Sequence, residues 1–159
     1  MRVITGLYKG RLLKAPKLGG VRPTQDRIKE SAFEVLNPYM ADIDVLELFA
    51  GSGSLGIEAL SRGAKSVTFV EREPLCVKAI GENLDNLGIY CPSAVIIKSD
   101  VFKAIKHFNN QGAKFGIIIA DPHIYETQKY LFDFMWEKAD TIQAANRSSE
   151  ASTDLSNAA

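Results

Sequence analysis

Val45-Leu46-Glu47-Leu48-Phe49-Ala50-Gly51-Ser52-Gly53-Ser54-Leu55-Gly56-Ile57-Glu58-Ala59-Leu60 is the stretch whose reading decides the fold. It opens as a short apolar run, as buried strands do, breaks at glycines, and resumes with apolar residues at helical spacing through Leu55, Ala59 and Leu60. The pattern predicts a strand, a glycine turn and a helix. Glycines let the backbone turn tightly without a side chain in the way of a ligand, and the start of a helix offers unpaired N–H groups. A nucleotide-like cofactor suits such a turn.

Working outward, apolar runs alternate with amphipathic stretches. Strands are expected at 44–50, 66–71, 94–98 and 115–121, with helices at 54–62, 75–87 and 101–108 between them. Such alternation implies parallel strands joined by right-handed crossovers and covered by helices on both faces, an α/β class. Ligands of these sheets sit beyond the carboxyl ends of the strands, where strand order reverses. Glu47, Glu71, Asp100 and Asp121 all fall at or near those ends.

With 159 residues, 46% hydrophobic and 24% charged, the chain has room for one core and the composition of a globular protein. The N-terminus lacks the apolar run of a signal peptide, and no stretch reaches the ~18 apolar residues of a membrane span. A cytoplasmic address and no membrane partner are therefore expected. Cys76 and Cys91 have neither metal-ligand nor redox spacing, so they are read as idle thiols and no metal site is assigned.

Net charge is zero but unevenly spread. Residues 1–29 hold eight Lys/Arg (Arg2, Lys9, Arg11, Lys14, Lys17, Arg22, Arg27, Lys29) against Asp26 alone, a net of 8 − 1 = +7, and the remainder carries 11 − 18 = −7. A basic end on an acidic body fits docking of a polyanion by that end, or else a merely solvated basic face. Residues 2–6 and 12–14 flank the turn-prone Tyr8-Lys9-Gly10-Arg11, which reads as a β-hairpin. An isolated hairpin is marginal in water, so it must pack on the body or order on a partner. Thr24 is placed to cap a helix over 25–36, with Ile28, Ala32, Phe33, Val35 and Leu36 as its apolar face. Residues 126–140 read as a further helix, and 141–159 are too poor in large apolar residues to order themselves. The expected organisation is a basic hairpin arm at 1–20, a Rossmann-like domain at 21–140 and a disordered tail at 141–159.

Two cofactors compete for the glycine turn. Gly51-x-Gly53-x-x-Gly56, with Glu71 about 20 residues on, satisfies the dinucleotide fingerprint and fits a nicotinamide cofactor. The same device serves S-adenosylmethionine, whose ribose has the same hydroxyls but which has no pyrophosphate. Glu47 tilts the choice, because a pyrophosphate would be repelled by a carboxylate there and a sulfonium or ammonium would not. Ile117-Ile118-Ile119-Ala120-Asp121-Pro122 then delivers a carboxylate and a proline to the same edge, although an Asp before Pro also serves simply to cap a turn.

The blocks Gly6-x-Tyr8-Lys9-Gly10-Arg11, Arg22-Pro23-Thr24-x-Asp26-Arg27-x-Lys29-Glu30, Leu46 to Gly56, Glu58-Ala59-Leu60-Ser61-Arg62-Gly63-Ala64 and Val70-Glu71 follow one another in the order found in a known family. From Met1 to about Pro122 the chain resembles the RsmD family, bacterial and organellar methyltransferases acting on the N2 amine of a guanine in small-subunit (16S) ribosomal RNA. The resemblance implies the Rossmann-like S-adenosylmethionine-dependent methyltransferase fold with an N-terminal β-hairpin. It implies that Glu47, Gly51 and Gly53, with Phe49 and Gly56 in the same turn, form the methionine side of the cofactor site. Glu71 would hold the ribose hydroxyls, and Asp100 with the Val101 backbone would meet the adenine. Lys9, Arg11, Lys14, Arg22, Thr24 and Arg27 would face RNA, as naked small-subunit RNA or as an assembled subunit. Asp121 and Pro122 would begin the catalytic Asp-Pro-Pro-Tyr motif, accepting hydrogen bonds from the guanine amine while an aromatic neighbour stacks on the base.

The chain departs from the family in two places. His123-Ile124-Tyr125 stands where the family has Pro-Tyr, so either Tyr125 or His123 stacks on the base, or the site is degraded. Nothing after Asp140 reads as a strand, which leaves the sheet incomplete at the C-terminus and strand four as an apolar edge open to self-association. A catalytically weakened or inactive remnant that binds RNA or cofactor only is the alternative, and a nicotinamide-binding oxidoreductase is a third.

Overall fold

The computed structural model describes residues 1–16 and 26–120, together with every side chain in those ranges except that of Ile28. Its elements in order are α1 (Asp26–Leu36), a 3-10 turn at Asn37–Tyr39, β1 (Asp44–Leu48), α2 (Ser54–Ser61), β2 (Ser66–Glu71), α3 (Pro74–Leu87), β3 (Ala94–Lys98), α4 (Val101–Asn110) and β4 (Ile117–Ala120). The four strands form one parallel sheet in the order β3-β2-β1-β4. The α/β reading of the sequence therefore holds.

Strand order reverses beside β1, whose neighbours are β2 on one side and β4 on the other. The register aligns Leu48 with Val70 of β2 and with Ala120 of β4, so three strands end together just before the glycine turn. Val45, Leu46 and Leu48 of β1 and Val67, Phe69 and Val70 of β2 are all buried. Burial on both faces explains why these strands read as nearly continuous apolar runs rather than as alternations.

The ends of elements depart from expectation for local reasons. β1 stops at Leu48 rather than Ala50 because Phe49 adopts a φ of +55°, which no ladder tolerates. α3 starts one residue earlier than expected because Pro74 fills its first position behind Glu73, whose carboxylate accepts the Leu75 N–H. α2 ends at Ser61, α4 runs on to Asn110, and β4 begins at Ile117.

α1 departs more. Phe33 is buried and Leu36 half-buried, but Ala32 and Val35 face outward, Val35 at 73% exposure. Beside Phe33 the buried face holds Lys29, which is wholly enclosed. Its Nζ donates to the Arg2 carbonyl at 2.8 Å and lies 3.6 Å from the Asp26 carboxylate. The long aliphatic stem serves as core while the ammonium finds oxygen partners. Lys29 is thus no part of the basic surface counted from the sequence.

The hairpin forms around a single antiparallel bridge, Arg2 to Leu12, with Val3 N–H on Arg11 O, Gly10 N–H on Val3 O and Leu13 N–H on Met1 O. So short a pairing cannot stand alone. It packs on the sheet domain instead, burying Val3 and Leu13 in the common core. The expected Thr24 cap, the helix at 126–140 and the tail at 141–159 lie outside the described residues.

Candidate functional site

The glycine turn joins β1 to α2 at the carboxyl edge of the sheet, and its three glycines do different work. A Cβ on Gly56 would come within 2.5 Å of Phe69, 2.6 Å of Glu47 and 2.7 Å of Val67, so glycine there lets α2 lie close on the sheet. Gly53 caps α2 at a φ of +74° and would press a Cβ to 3.2 Å from Phe69 and 3.3 Å from Ile80. A Cβ on Gly51, at a φ of +56°, would meet no described residue beyond its chain neighbours closer than Phe49 O at 3.9 Å. Gly51 is the glycine whose bare backbone a ligand can approach. Phe49, two residues earlier, holds a left-handed φ at some cost, as backbone beside binding sites often does.

Two buried acids brace this turn. Glu47, 3% exposed, accepts the Gly56 N–H through Oε2 at 3.0 Å. That N–H belongs to the first turn of α2, where a pyrophosphate would seek donors. One of the donors at the helix start is therefore already taken by a buried carboxylate, whose charge suits a cationic ligand better than a pyrophosphate. Glu71, at the end of β2, accepts the Gly51 N–H through Oε2 at 2.9 Å and the Arg72 and Glu73 N–H groups through Oε1 at 2.7 and 2.9 Å. An ionised carboxylate has roughly four acceptor positions, so one remains for a ribose hydroxyl without any rearrangement, and a second requires an N–H to yield or be shared.

Asp100 ends the β3 segment and caps α4, its Oδ1 accepting the Phe102 and Lys103 N–H groups at 3.0 and 3.3 Å. Oδ2 makes no hydrogen bond among the described residues. Val101, buried, supplies the first residue of α4, where backbone N–H groups have no intrahelical partner. Glu47, Gly51, Glu71 and Asp100 thus lie at or just beyond the carboxyl ends of β1, β2 and β3 along one edge. Among the described residues no three His, Cys, Asp or Glu side chains gather as metal ligands would.

Of the basic residues, Lys9 and Arg27 are exposed and unpaired among the described residues. Arg11 donates to the Asn86 carbonyl at 2.9 Å, and Lys14 pairs with Glu82 at 2.8 Å, which holds that carboxyl below its ordinary range through its hydrogen bond and charge. Both therefore lean on α3 while staying exposed. Arg22, Asp121, Pro122, His123 and Tyr125 lie outside the described residues, as does Thr24.

Three polar residues that bind the hairpin to the domain were not singled out in the sequence. Glu58, fully buried, accepts the Ile4 N–H at 2.8 Å, the Thr5 N–H at 3.0 Å and Arg62 Nε at 2.9 Å, while Arg62 lies over the Phe33 ring. Ser61 Oγ donates to Thr5 O and accepts the Tyr8 N–H, and a Cβ on Gly6 would collide with Ser61 O. Asn83, 1% exposed, bonds both to Lys14 and to Ser52 of the glycine turn. A signal for Asn83 existed, since it interrupts the apolar spacing of Cys76, Ala79, Ile80 and Leu84.

The family model described as "Conserved hypothetical protein 95" matches residues 1–144. The chain belongs to this family. Within it, the chain is 41% identical over 122 residues to "Ribosomal RNA small subunit methyltransferase D" of Haemophilus influenzae, covering 77% of this chain and 63% of that protein. It is 41% identical over 129 residues to "Putative rRNA methyltransferase YlbH" of Bacillus subtilis, covering 81% and 69%. The solved structure "Putative methyltransferase yhhF from Escherichia coli" superposes with a TM-score of 0.60 at 37% identity, covering 66% of this chain and 56% of that one. The fold is the Rossmann-like methyltransferase fold, and the RsmD resemblance holds. This family member spans under two thirds of the Haemophilus relative's length. Among its described residues no helix is long and apolar enough to cross a membrane.

Proposed function

We propose that the chain binds S-adenosylmethionine at the glycine edge and methylates the N2 amine of a guanine in small-subunit ribosomal RNA, presented naked or in the assembled subunit. The observation that carries the reading is the Glu47 carboxylate on the Gly56 N–H. It supports a cationic cofactor where the glycine fingerprint alone would equally admit a dinucleotide. When bound, S-adenosylmethionine supplies an electrophilic methyl on a sulfonium. The chain's own residues do the rest: Glu71 accepts from the ribose diol, Asp100 and the Val101 N–H meet the adenine, and the bare Gly51 backbone admits the methionine portion.

The guanine amine is a poor nucleophile because its lone pair is delocalised into the ring. Asp121 and the Pro122 carbonyl would accept its two N–H bonds and so orient the lone pair, with Tyr125 or His123 stacked on the base, an interaction worth roughly 1–3 kcal/mol. Acceleration then comes mainly from positioning and from electrostatics. The register supports this assignment of Asp121, because β4 ends at Ala120 opposite Leu48 and the sequence continues directly into Asp121-Pro122. Lys9, Arg11, Lys14, Arg22, Thr24 and Arg27 would hold RNA phosphates, which makes binding fall steeply with salt.

The test is methyl transfer to small subunits lacking the modification, beside calorimetric titration with S-adenosylmethionine, S-adenosylhomocysteine and NAD. Transfer that is lost in Asp121→Asn, with saturable binding of the first two ligands and not NAD, supports the reading. Binding without transfer favours the second one, a catalytically inactive remnant, for which the Asp121-Pro122-His123 departure from the family motif speaks. β4 pairs with β1, and Ile118 is 41% exposed. Self-association through the exposed Ile118 is the corresponding proposal, read as a concentration-dependent mass in sedimentation.

A further inference from the structure

We infer that Asn83 is a positioning residue through which RNA on the hairpin and cofactor in the glycine turn tighten each other's binding. The inference rests on the proposed function, since it presumes both ligands. Its basis is one buried side-chain amide with all of its hydrogens committed. Oδ1 accepts the Lys14 N–H at 2.7 Å, and Nδ2 donates to Lys14 O and to Ser52 O, both at 3.0 Å. Lys14 lies on the basic hairpin, and Ser52 sits between Gly51, held by Glu71, and Gly53, which caps α2. One amide thus fastens the phosphate-facing segment to the turn that would receive the cofactor.

The position asks for an apolar residue. Asn83 lies on the buried stripe of α3 with Cys76, Ala79, Ile80 and Leu84, where a polar group is costly unless fully bonded. What the amide supplies in return is a direct link between the hairpin, otherwise held to α2 by Glu58 and Ser61, and the glycine turn, otherwise braced by Glu47 and Glu71. The hairpin has a single backbone bridge, and the turn has glycines at positive φ. A ligand that orders either segment fixes Asn83 and leaves less disorder for the other ligand to remove, which is positive coupling without a change of shape. Coupling is reciprocal, and its lower range corresponds to about fivefold in affinity.

The measurement is equilibrium dialysis of labelled S-adenosylhomocysteine against the full chain, with and without in-vitro-transcribed small-subunit ribosomal RNA. The wild type should bind S-adenosylhomocysteine about fivefold more tightly with RNA present, at the low end of typical coupling. In Asn83→Ala that ratio should fall to about one, the limit of no coupling. Lys14→Ala should weaken RNA binding yet keep the ratio once RNA is saturating, because Asn83 holds the Lys14 backbone and not its side chain. Should Asn83→Ala fail to fold, hydrogen exchange on the wild type decides: S-adenosylhomocysteine should slow exchange of the Lys14 amide, whose acceptor is Asn83. A wild-type ratio of one with both ligands bound, or Lys14 exchange unchanged by S-adenosylhomocysteine, overturns the inference and leaves the proposed function standing. Failure of S-adenosylhomocysteine to bind at all removes both.

Discussion

Gly56→Ala separates packing from ligand contact at the glycine turn. The added Cβ would lie 2.5 Å from Phe69 and 2.7 Å from Val67, whereas carbon contacts are comfortable near 3.5–4.0 Å. Both neighbours are fully buried, so α2 must lift from the sheet by about 1 Å or the core must rearrange. Overpacking of this kind costs about 1–3 kcal/mol. The same Cβ sits 2.6 Å from Glu47 Oε2, so the hydrogen bond from the Gly56 N–H is lost or stretched, about 1.5–3 kcal/mol for a charged acceptor. Alanine's better helix propensity returns about 1 kcal/mol. The net is a destabilisation of about 3 kcal/mol, and at a typical urea dependence the unfolding midpoint should drop by roughly 1–3 M. Gly51→Ala is the control. Its Cβ meets nothing among the described residues closer than 3.9 Å, so only the left-handed backbone is penalised, about 1–2 kcal/mol, while the methyl would stand against the proposed cofactor. Urea unfolding followed by circular dichroism, beside titration with S-adenosylhomocysteine, should therefore rank Gly56→Ala as the larger stability defect. At Gly51→Ala the loss of affinity should exceed the loss of stability. A Gly56→Ala protein as stable as wild type but unable to bind ligand would refute the reasoning.

Further predictions follow from the buried acids and the thiols. Glu58→Ala leaves Arg62 enclosed without its carboxylate and frees the Ile4 and Thr5 N–H groups, so it should cost about 3–5 kcal/mol and expose Lys9 and Arg11 to trypsin. Unchanged trypsin cleavage there would mean the hairpin is held by other contacts. Glu71→Gln keeps the shape but gives up one of two acceptor oxygens, and should weaken S-adenosylhomocysteine binding about tenfold, the equivalent of one hydrogen bond to a charged group, as read by calorimetry. Burial, with Glu71 and Glu73 nearby, pushes the Cys76 thiol up to about 11 from 9.0. Cys91, exposed, should react with a thiol reagent at pH 8 at an ordinary rate, whereas Cys76 should react only as the protein opens. Because the folded state resists losing that proton, the stability Cys76 contributes should be complete below pH 9 and fall away as pH rises toward 11, visible as a decline in melting temperature over that window.

β2 and β3 were legible to the residue because their apolar runs are closed by polar or glycine-containing segments, and the parallel class followed from alternation alone. The end of β1 was not, since a positive φ at Phe49 is imposed by the turn and carries no mark in a phenylalanine. Lys29 was counted as surface because charge is visible in a sequence and the course of its aliphatic stem is not. The 3.6-residue period puts Ala32 and Val35 on the apolar face of α1, but among its described side chains Phe33 and Lys29 are buried and Leu36 half-buried while Ala32 and Val35 are exposed. At the site, Glu47 and Glu71 stood out as acids at strand ends, but the N–H groups they hold depend on how the turn closes over them, which no local pattern specifies.

Gly6-x-Tyr8-Lys9-Gly10-Arg11 and Glu58-Ala59-Leu60-Ser61-Arg62-Gly63 looked like two independent blocks, and in the fold they are two halves of one joint. α2 packs Gly56 against Phe69 and Val67 of the sheet and turns Glu58 and Ser61 toward the hairpin, and nearly every residue of this short helix is buried. A helix covered on both sides must carry partners for each polar group it buries, and Glu58 and Ser61 meet that demand with hairpin backbone rather than with water. The hairpin cannot then be an appendage whose loss spares the core: removing it would strip Glu58 of every partner but Arg62, strip Ser61 of Thr5 O and the Tyr8 N–H, and take Val3 and Leu13 out of the core. It follows that the basic end of the chain and the cofactor edge are built on the same helix, one above it and one at its start.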